Sequence, residues 1–279
     1  MLHVNQQTAG NVGLEAVANL GNLTAVRYLK VSGPMNADDW AKIKSMTSLV
    51  YLDLTDAQVT EIPASAFTSN PLRFFYFPTT LQTIGNNAFE YRNIEGAITI
   101  PEGVTTIGNY AFRGLHKATS VTLPNSLTSL GTYAFCRSDG TQLREVTLGS
   151  GLTVIPNYAF NDLDSLRVVH NCGNITALGE DAFYNCEWLT SLEGLRPVTV
   201  GSDAFNYCKK LASIDLSRCT TLNSGAFFRC YGLTNLDLTN VTSMGSSAFA
   251  ECTGLTSVVI PDGLTTLPSY AFRDCIYEA

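Results

Sequence analysis

The dipeptide Ala-Phe occurs ten times, with its ring at Phe67, Phe89, Phe112, Phe135, Phe160, Phe183, Phe205, Phe227, Phe249 and Phe272. The steps are about 23 residues each, a regularity that chance does not give and that stacked, equivalent coils require. Aligned on this pair, two units read Leu211-x-x-Ile214-x-Leu216-x-x-Cys219-x-x-Leu222-x-x-x-Ala226-Phe227-x-x-Cys230 and Leu233-x-x-Leu236-x-Leu238-x-x-Val241-x-x-Met244-x-x-x-Ala248-Phe249-x-x-Cys252. In Leu236-x-Leu238 the two apolar side chains share one face of a strand and point into the coil, while Asn235 and Asp237 point out. One unit cannot bury its own apolar set, but neighbours that share a parallel sheet bury a continuous core.

A period between 20 and 29 residues opening on L-x-x-L-x-L is the signature of leucine-rich repeats. The expected fold is therefore α/β, a right-handed leucine-rich-repeat solenoid or horseshoe with a parallel sheet on one face and short helical or irregular return arcs. Upstream of the first Ala-Phe, Val26-x-x-Leu29-x-Val31 reads as a degenerate first unit. Its return arc predicts a helix: Asn36 as N-cap, Asp38 and Asp39 at the positive end of the dipole, and Trp40, Ile43 and Met46 on one face. A second short helix is expected over Asn11 to Leu20. The chain thus divides into an N-terminal cap, 1–48, and a ten-unit solenoid, 49–279. After Phe272 no capping pattern is legible in Arg273-Asp274-Cys275-Ile276-Tyr277-Glu278-Ala279, which suggests a truncated chain or a last coil covered by something else.

The 279 residues are 45% hydrophobic and only 15% charged, as expected when each coil spends its apolar residues on an inward stack. A net charge of −7 argues against a nucleic-acid partner, because phosphate neutralisation needs a basic face. No apolar run reaches the ~20 residues of a membrane span. Of the eight cysteines, Cys186, Cys208, Cys230, Cys252 and Cys275 all lie three residues after the repeat phenylalanine, and Cys219 fills the slot of Val241. Equivalent positions on stacked coils project in parallel, the wrong vectors for a disulfide, so they read as buried free thiols. No Cys-x-x-Cys marks a zinc site, and no cofactor is expected.

The recurrent Leu-Pro-x-x-Leu-Thr-x-Ile-Gly-x-x-Ala-Phe-x-x-Cys unit, seen as Leu123-Pro124 through Ala134-Phe135 and as Ile260-Pro261 through Ala271-Phe272-x-x-Cys275, resembles the BspA-like, Treponema-type leucine-rich repeats. The stretch Leu29 to Trp40 is similar to the leader unit of such proteins from gut and oral Bacteroides. The resemblance implies a secreted or outer-membrane surface-attached protein that adheres to host matrix or cell-surface proteins or to another bacterium's surface. No export signal is legible at the start, which suggests a mature form. Glycan capture and a spacer role within a larger surface protein are the alternatives.

Two outward columns of the strands can be read directly. One runs Tyr28, Tyr51, Phe74, Ala97, Ser120, Glu145, Val168, Ser191, Ser213, Asn235, Ser257; the other runs Lys30, Asp53, Tyr76, Thr99, Thr122, Thr147, His170, Glu193, Asp215, Asp237, Val259. The candidate ligand-binding residues are Tyr28, Tyr51, Asp53, Phe74 and Tyr76 at the aromatic end, and His170, Glu193, Asp215 and Asp237 at the acidic end. Exposed neighbouring rings offer rigid contact area, although cross-strand rings also simply stabilise a sheet, and the loop Gly33-Pro34-Met35 is placed to cover them. Stacked carboxylates repel, so a cation or a basic partner would relieve them, while the plainer reading is a solvated acidic face. Asp215 and Asp237 are spaced like a glycosidase pair, but an open sheet gives neither a reason for a raised pKa. His3, His116 and His170 have no spaced nucleophile and no phosphate-loop or hydrolase motif occurs, so the chain is expected not to be an enzyme.

Overall fold

The computed structural model describes residues 2–5, 22–136, 140–261, 263–264 and 266–275. The helix expected over Asn11 to Leu20 and the residues after Cys275 lie outside them. Every strand pairing is parallel, and each coil contributes to as many as two sheets. The first sheet is the expected one and comes in three pieces. Leu2–Asn5, Tyr28–Pro34, Tyr51–Asp53 and Phe74–Tyr76 form one. Gly96–Thr99, Ala118–Thr122, Glu145–Thr147, Val168–His170 and Ser191–Leu192 form the next, and Asn235–Asp237 with Ser257–Val259 the last. The strand Leu2–Asn5 adds to the edge of Tyr28–Pro34 and was not foreshadowed by the repeat.

The second sheet is a departure from the irregular arc expected. The Thr-x-Ile-Gly segment and its equivalents form two-residue strands, giving one ladder through Glu61–Ile62, Thr83–Ile84, Thr106–Ile107 and Ser129–Leu130. A second ladder runs through Val154–Ile155, Ala177–Leu178, Thr199–Val200, Thr221–Leu222 and Ser243–Met244. The glycine that closes many of these segments sits where coils touch: a β-carbon on Gly131 would collide with the Gly108 carbonyl.

The return arc is ordered by backbone alternation. The residue before each Ala-Phe is left-handed (Tyr110 φ 57°, Tyr133 φ 59°, Asp181 φ 51°), and from Phe160 on so is the residue two after the phenylalanine (Asp162 φ 57°, Tyr207 φ 64°). This alternation turns every second N–H along the solenoid axis. Phe89 donates to the Ala111 carbonyl at 2.7 Å, Phe112 to Ala134 at 2.8 Å and Phe183 to Ala204 at 2.8 Å. Inside this ladder the phenylalanine rings stack from Phe89 to Phe272, with centroids 5.0–5.6 Å apart and planes within 13°.

The eight cysteines are buried and free, as the spacing requires. Five of them do more than fill space: the thiols of Cys186, Cys208, Cys230, Cys252 and Cys275 donate to the carbonyls of Phe160, Phe183, Phe205, Phe227 and Phe249 at 2.9–3.2 Å. The helix of the first unit is Ala37–Ser45, with Asn36 and Asp39 forming a reciprocal capping box and Trp40 and Ile43 buried. Its C-terminal carbonyls are met by Asn70, whose side-chain amide donates to Ile43 and Met46 at 3.0 and 2.8 Å. Such a cap satisfies acceptors that a helix end otherwise leaves to water.

Candidate binding site on the first sheet

The register brings the aromatic residues together as the columns predict: Tyr28 pairs with Tyr51 and Tyr51 with Phe74, while Lys30 pairs with Asp53 and Asp53 with Tyr76. Ring centroids are 6.3 Å apart for Tyr28–Tyr51, 6.4 Å for Tyr51–Phe74 and 5.3 Å for Tyr51–Tyr76. The loop Gly33-Pro34-Met35 does not cover these rings, since Tyr28 is 49%, Phe74 38% and Tyr76 48% exposed. Burial, reinforced by Tyr76 and Asp53, raises the Tyr51 phenol above its ordinary value. Beside the rings Lys30 bridges Asp53 at 3.3 Å and Asp56 at 2.7 Å, which raises the ammonium, chiefly through Asp56.

Next to this patch the first sheet breaks. Phe75 and Phe77 occupy the two inward positions that hold Leu, Val or Ile in most coils, and both are only partly buried. Phe75 contacts Phe67, Phe77 and Phe89 at centroid distances of 5.2, 4.8 and 4.8 Å. The strand is thereby held off its neighbour. Leu54 N–H donates to Tyr76 and Ile100 N–H to Thr122, both at 3.0 Å, but the equivalent bond from Phe77 to Thr99 is missing. Only Glu95 N–H still reaches across, to the Arg73 carbonyl at 2.9 Å, supported by an Arg73–Glu95 ion pair.

The gap is a cleft of about 380 Å³. Its floor is the otherwise buried Phe89 and Phe112, its walls include Phe75, Phe77, Ile94 and Ile98, and Phe74, Tyr76, Thr99 and Glu95 stand among its rim residues. No sequence signal was read for it, although the two aromatic residues at paired inward positions are visible in the repeat alignment.

The acidic candidates do not join this site, nor do they form a continuous column. No strand forms over the unit containing Ser213 and Asp215. One cause lies in the preceding coil, where Gly194, at φ +79°, takes the second inward position and turns the chain out of the extended region. Each carboxylate has its own partner. Glu193 meets His170 Nδ1 at 2.8 Å and Asp215 meets Arg196 at 2.8 Å. Asp215 also accepts from Ser217 N–H at 3.0 Å and Asp237 from Thr239 N–H at 2.9 Å, the same turn that Asp53 makes with Thr55 at 2.9 Å.

These turn hydrogen bonds lead the contributions that hold Asp215 and Asp237 below the usual carboxylate range. At Asp53 burial is the largest single effect and opposes them, and the Thr55 hydrogen bonds together with Lys30 still bring its carboxyl below the ordinary value. An Asp-x-Ser/Thr turn at the strand end accounts for these residues without a cation. No group of three metal-ligating side chains occurs among the described residues. His3 does gain a hydroxyl neighbour that spacing did not suggest, Ser32 at 3.5 Å, but the pair is exposed and no carboxylate among the described residues orients the ring.

The pattern of the BspA type leucine rich repeat region matches residues 41–98, 87–199 and 196–278, in six copies. The chain belongs to this family. A solved leucine-rich repeat protein of T. pallidum, TpLRR, is similar at 25% identity with a TM-score of 0.50, over 58% of this chain and 75% of that one. A leucine-rich repeat protein from Bacteroides ovatus is similar at 22% identity and a TM-score of 0.49, over 98% of this chain and 85% of that one. A search of curated proteins finds no match. No helix among the described residues of this BspA-type chain is long and apolar enough to cross a membrane. BspA-type repeats supply a scaffold that is generally non-enzymatic and typically serves interaction, and the aromatic cleft is what this chain places on it.

Proposed function

We propose that this chain is a non-enzymatic recognition module of a secreted or surface-attached bacterial protein, and that it adheres to a protein partner through the aromatic end of the first sheet. The observation that carries this reading is the cleft floored by Phe89 and Phe112 beside exposed Tyr28, Phe74 and Tyr76. A cleft floored by Phe89 and Phe112 and walled by Phe75, Phe77, Ile94 and Ile98 favours a leucine- or phenylalanine-sized side chain, because a sugar hydroxyl would find hydrogen-bond partners only at rim residues such as Thr99 and Glu95. Flanking exposed rings are the residue types that dominate interface energetics. A neutral glycan stacked on Tyr28 and Tyr76 is the second reading, supported by the exposure of those two rings.

The test is binding to a panel of immobilised host matrix proteins and to a glycan array, using wild type, the double variant Phe74→Ala/Tyr76→Ala, and Asp215→Asn. Each lost anchor is worth about 2 kcal/mol, roughly 30-fold in affinity. Protein binding lost in the double variant and kept in Asp215→Asn supports the reading. Protein binding indifferent to Phe74 and Tyr76 overturns it, and array hits that depend on these rings would transfer the site to the glycan.

A further inference from the structure

The edge at which the chain enters the first sheet carries a second surface, of opposite charge to the molecule as a whole. Arg144 and Arg167 each stand directly before a strand and occupy one register position in successive coils, since Arg167 N–H donates to the Arg144 carbonyl at 2.8 Å. Thr190, in the next coil, donates to the Arg167 carbonyl at 2.9 Å, and two residues before it Trp188 projects with 51% of its surface exposed. The Arg167 guanidinium lies 5.8 Å and the Lys210 ammonium 5.6 Å from the indole centroid. Lys210 is held one coil further on by its N–H bond to the Glu187 carbonyl at 3.2 Å. The backbones of Arg144 and Arg167 are thus one strand spacing apart, about 4.8 Å, while Arg167 from the preceding coil and Lys210 from the following one both reach the Trp188 ring.

Among the described residues no carboxylate bridges Arg144, Arg167 or Lys210, whereas Lys209 next door is bound to Glu187 at 2.6 Å. The net charge of −7 makes such an uncompensated row a local exception. We propose that this edge binds an acidic glycan, one carrying sulfate or uronate groups. Arg144, Arg167 and Lys210 take the acid groups, and the exposed indole packs on the apolar face of a sugar ring between them. Charge complementarity selects the anion, and the flat exposed ring selects a sugar over an acidic peptide, whose carboxylates would use the cations and leave the indole idle. The site lies apart from the aromatic cleft and uses none of its residues, so either proposal can fail without the other.

The experiment titrates the intact chain with a heparin-derived octasaccharide in 50 mM and 200 mM NaCl, with a neutral dextran oligosaccharide and a poly-glutamate of matched charge as comparisons. The expected result is binding of the octasaccharide that weakens with salt, weaker binding of poly-glutamate, and no binding of dextran. Trp188→Ala should weaken the octasaccharide about tenfold. Arg167→Gln/Lys210→Gln should weaken it at least as much and flatten the salt dependence. Because these side chains are on the surface, all variants should melt with wild type, and Phe74→Ala/Tyr76→Ala should bind the octasaccharide unchanged. No octasaccharide binding in 50 mM NaCl, an unaltered affinity in Trp188→Ala, or poly-glutamate binding as tightly as the octasaccharide would each overturn the proposal.

Discussion

At the scale of single residues the repeat repays two kinds of side chain for opposite reasons. The thiols of the cysteine ladder are buried and each donates to a phenylalanine carbonyl one coil back. Burial pushes Cys219 and Cys136 up to about 11 and Cys172 up to about 12, so none is a thiolate at neutral pH. A thiol reagent should therefore label none of the eight cysteines in the folded chain and all of them in denaturant; rapid labelling of the folded chain would contradict the ladder. Asp181 is set the other way. Burial, with Asp203 adding, pushes its carboxyl up to about 6, above its ordinary unfolded value. The folded state then binds the proton more tightly, so this residue's contribution favours folding at low pH and is lost as pH rises from about 4 through 6. Asp181→Asn, which keeps a residue tolerant of φ +51°, should be more stable than wild type at pH 7.5 and lose that advantage by pH 4.5. Urea midpoints of the two proteins at both pH values decide it, and a difference that ignores pH would remove Asp181 as the cause.

At the scale of elements, alternation made the first sheet legible. Tyr28 opposite Tyr51 and Ser120 opposite Glu145 follow from a period of two and a fixed repeat length. The helix Ala37–Ser45 was legible too, because Asn36 and Asp39 mark its start. The second sheet was not, because a two-residue strand such as Thr106–Ile107 is too short to show alternation and exists only through its neighbours. The turns of Asp215 and Asp237 were visible as Asp-x-Ser/Thr, as was that of Asp53, but the two C-terminal carboxylates were read with Glu193 as a charge column. The cleft was hidden for another reason: Phe75 and Phe77 satisfy the apolar pattern, and what sets them apart from the usual Leu, Val or Ile is their volume. Replacing both by leucine should let the strands close, protecting the amides of Phe77 and Ala97 from hydrogen exchange and removing the cleft. Unchanged exchange at those two amides would mean that something other than ring volume holds the coils apart.

At the scale of the whole molecule, the breaks do not coincide. The first sheet is interrupted after Phe74–Tyr76, where Thr83–Ile84 still pairs with Thr106–Ile107. The second is interrupted after Ser129–Leu130, where Ala118–Thr122 still pairs with Glu145–Thr147. Around the missing strand near Asp215, Thr199–Val200, Thr221–Leu222 and Ser243–Met244 run on. The ladder of the Ala-Phe arc crosses all three places, through Phe89 to Ala111, Phe135 to Ala159 and Phe205 to Ala226. At each of these three places the interface thus keeps two of its three rows, and stability is a sum of such interfaces rather than the property of one core. The two tryptophans report on different parts of that sum, Trp40 in the first unit and Trp188 six units on. Phe249→Ala removes a ring from the spine near the far end, a loss of about 3–5 kcal/mol. In single-tryptophan variants, Trp40→Phe and Trp188→Phe, this substitution should lower the urea midpoint reported by Trp188 more than that reported by Trp40, because its effect passes through fewer interfaces to reach Trp188. Equal shifts would show instead that the coils unfold as one unit, with coupling between neighbours stronger than the stability of any coil.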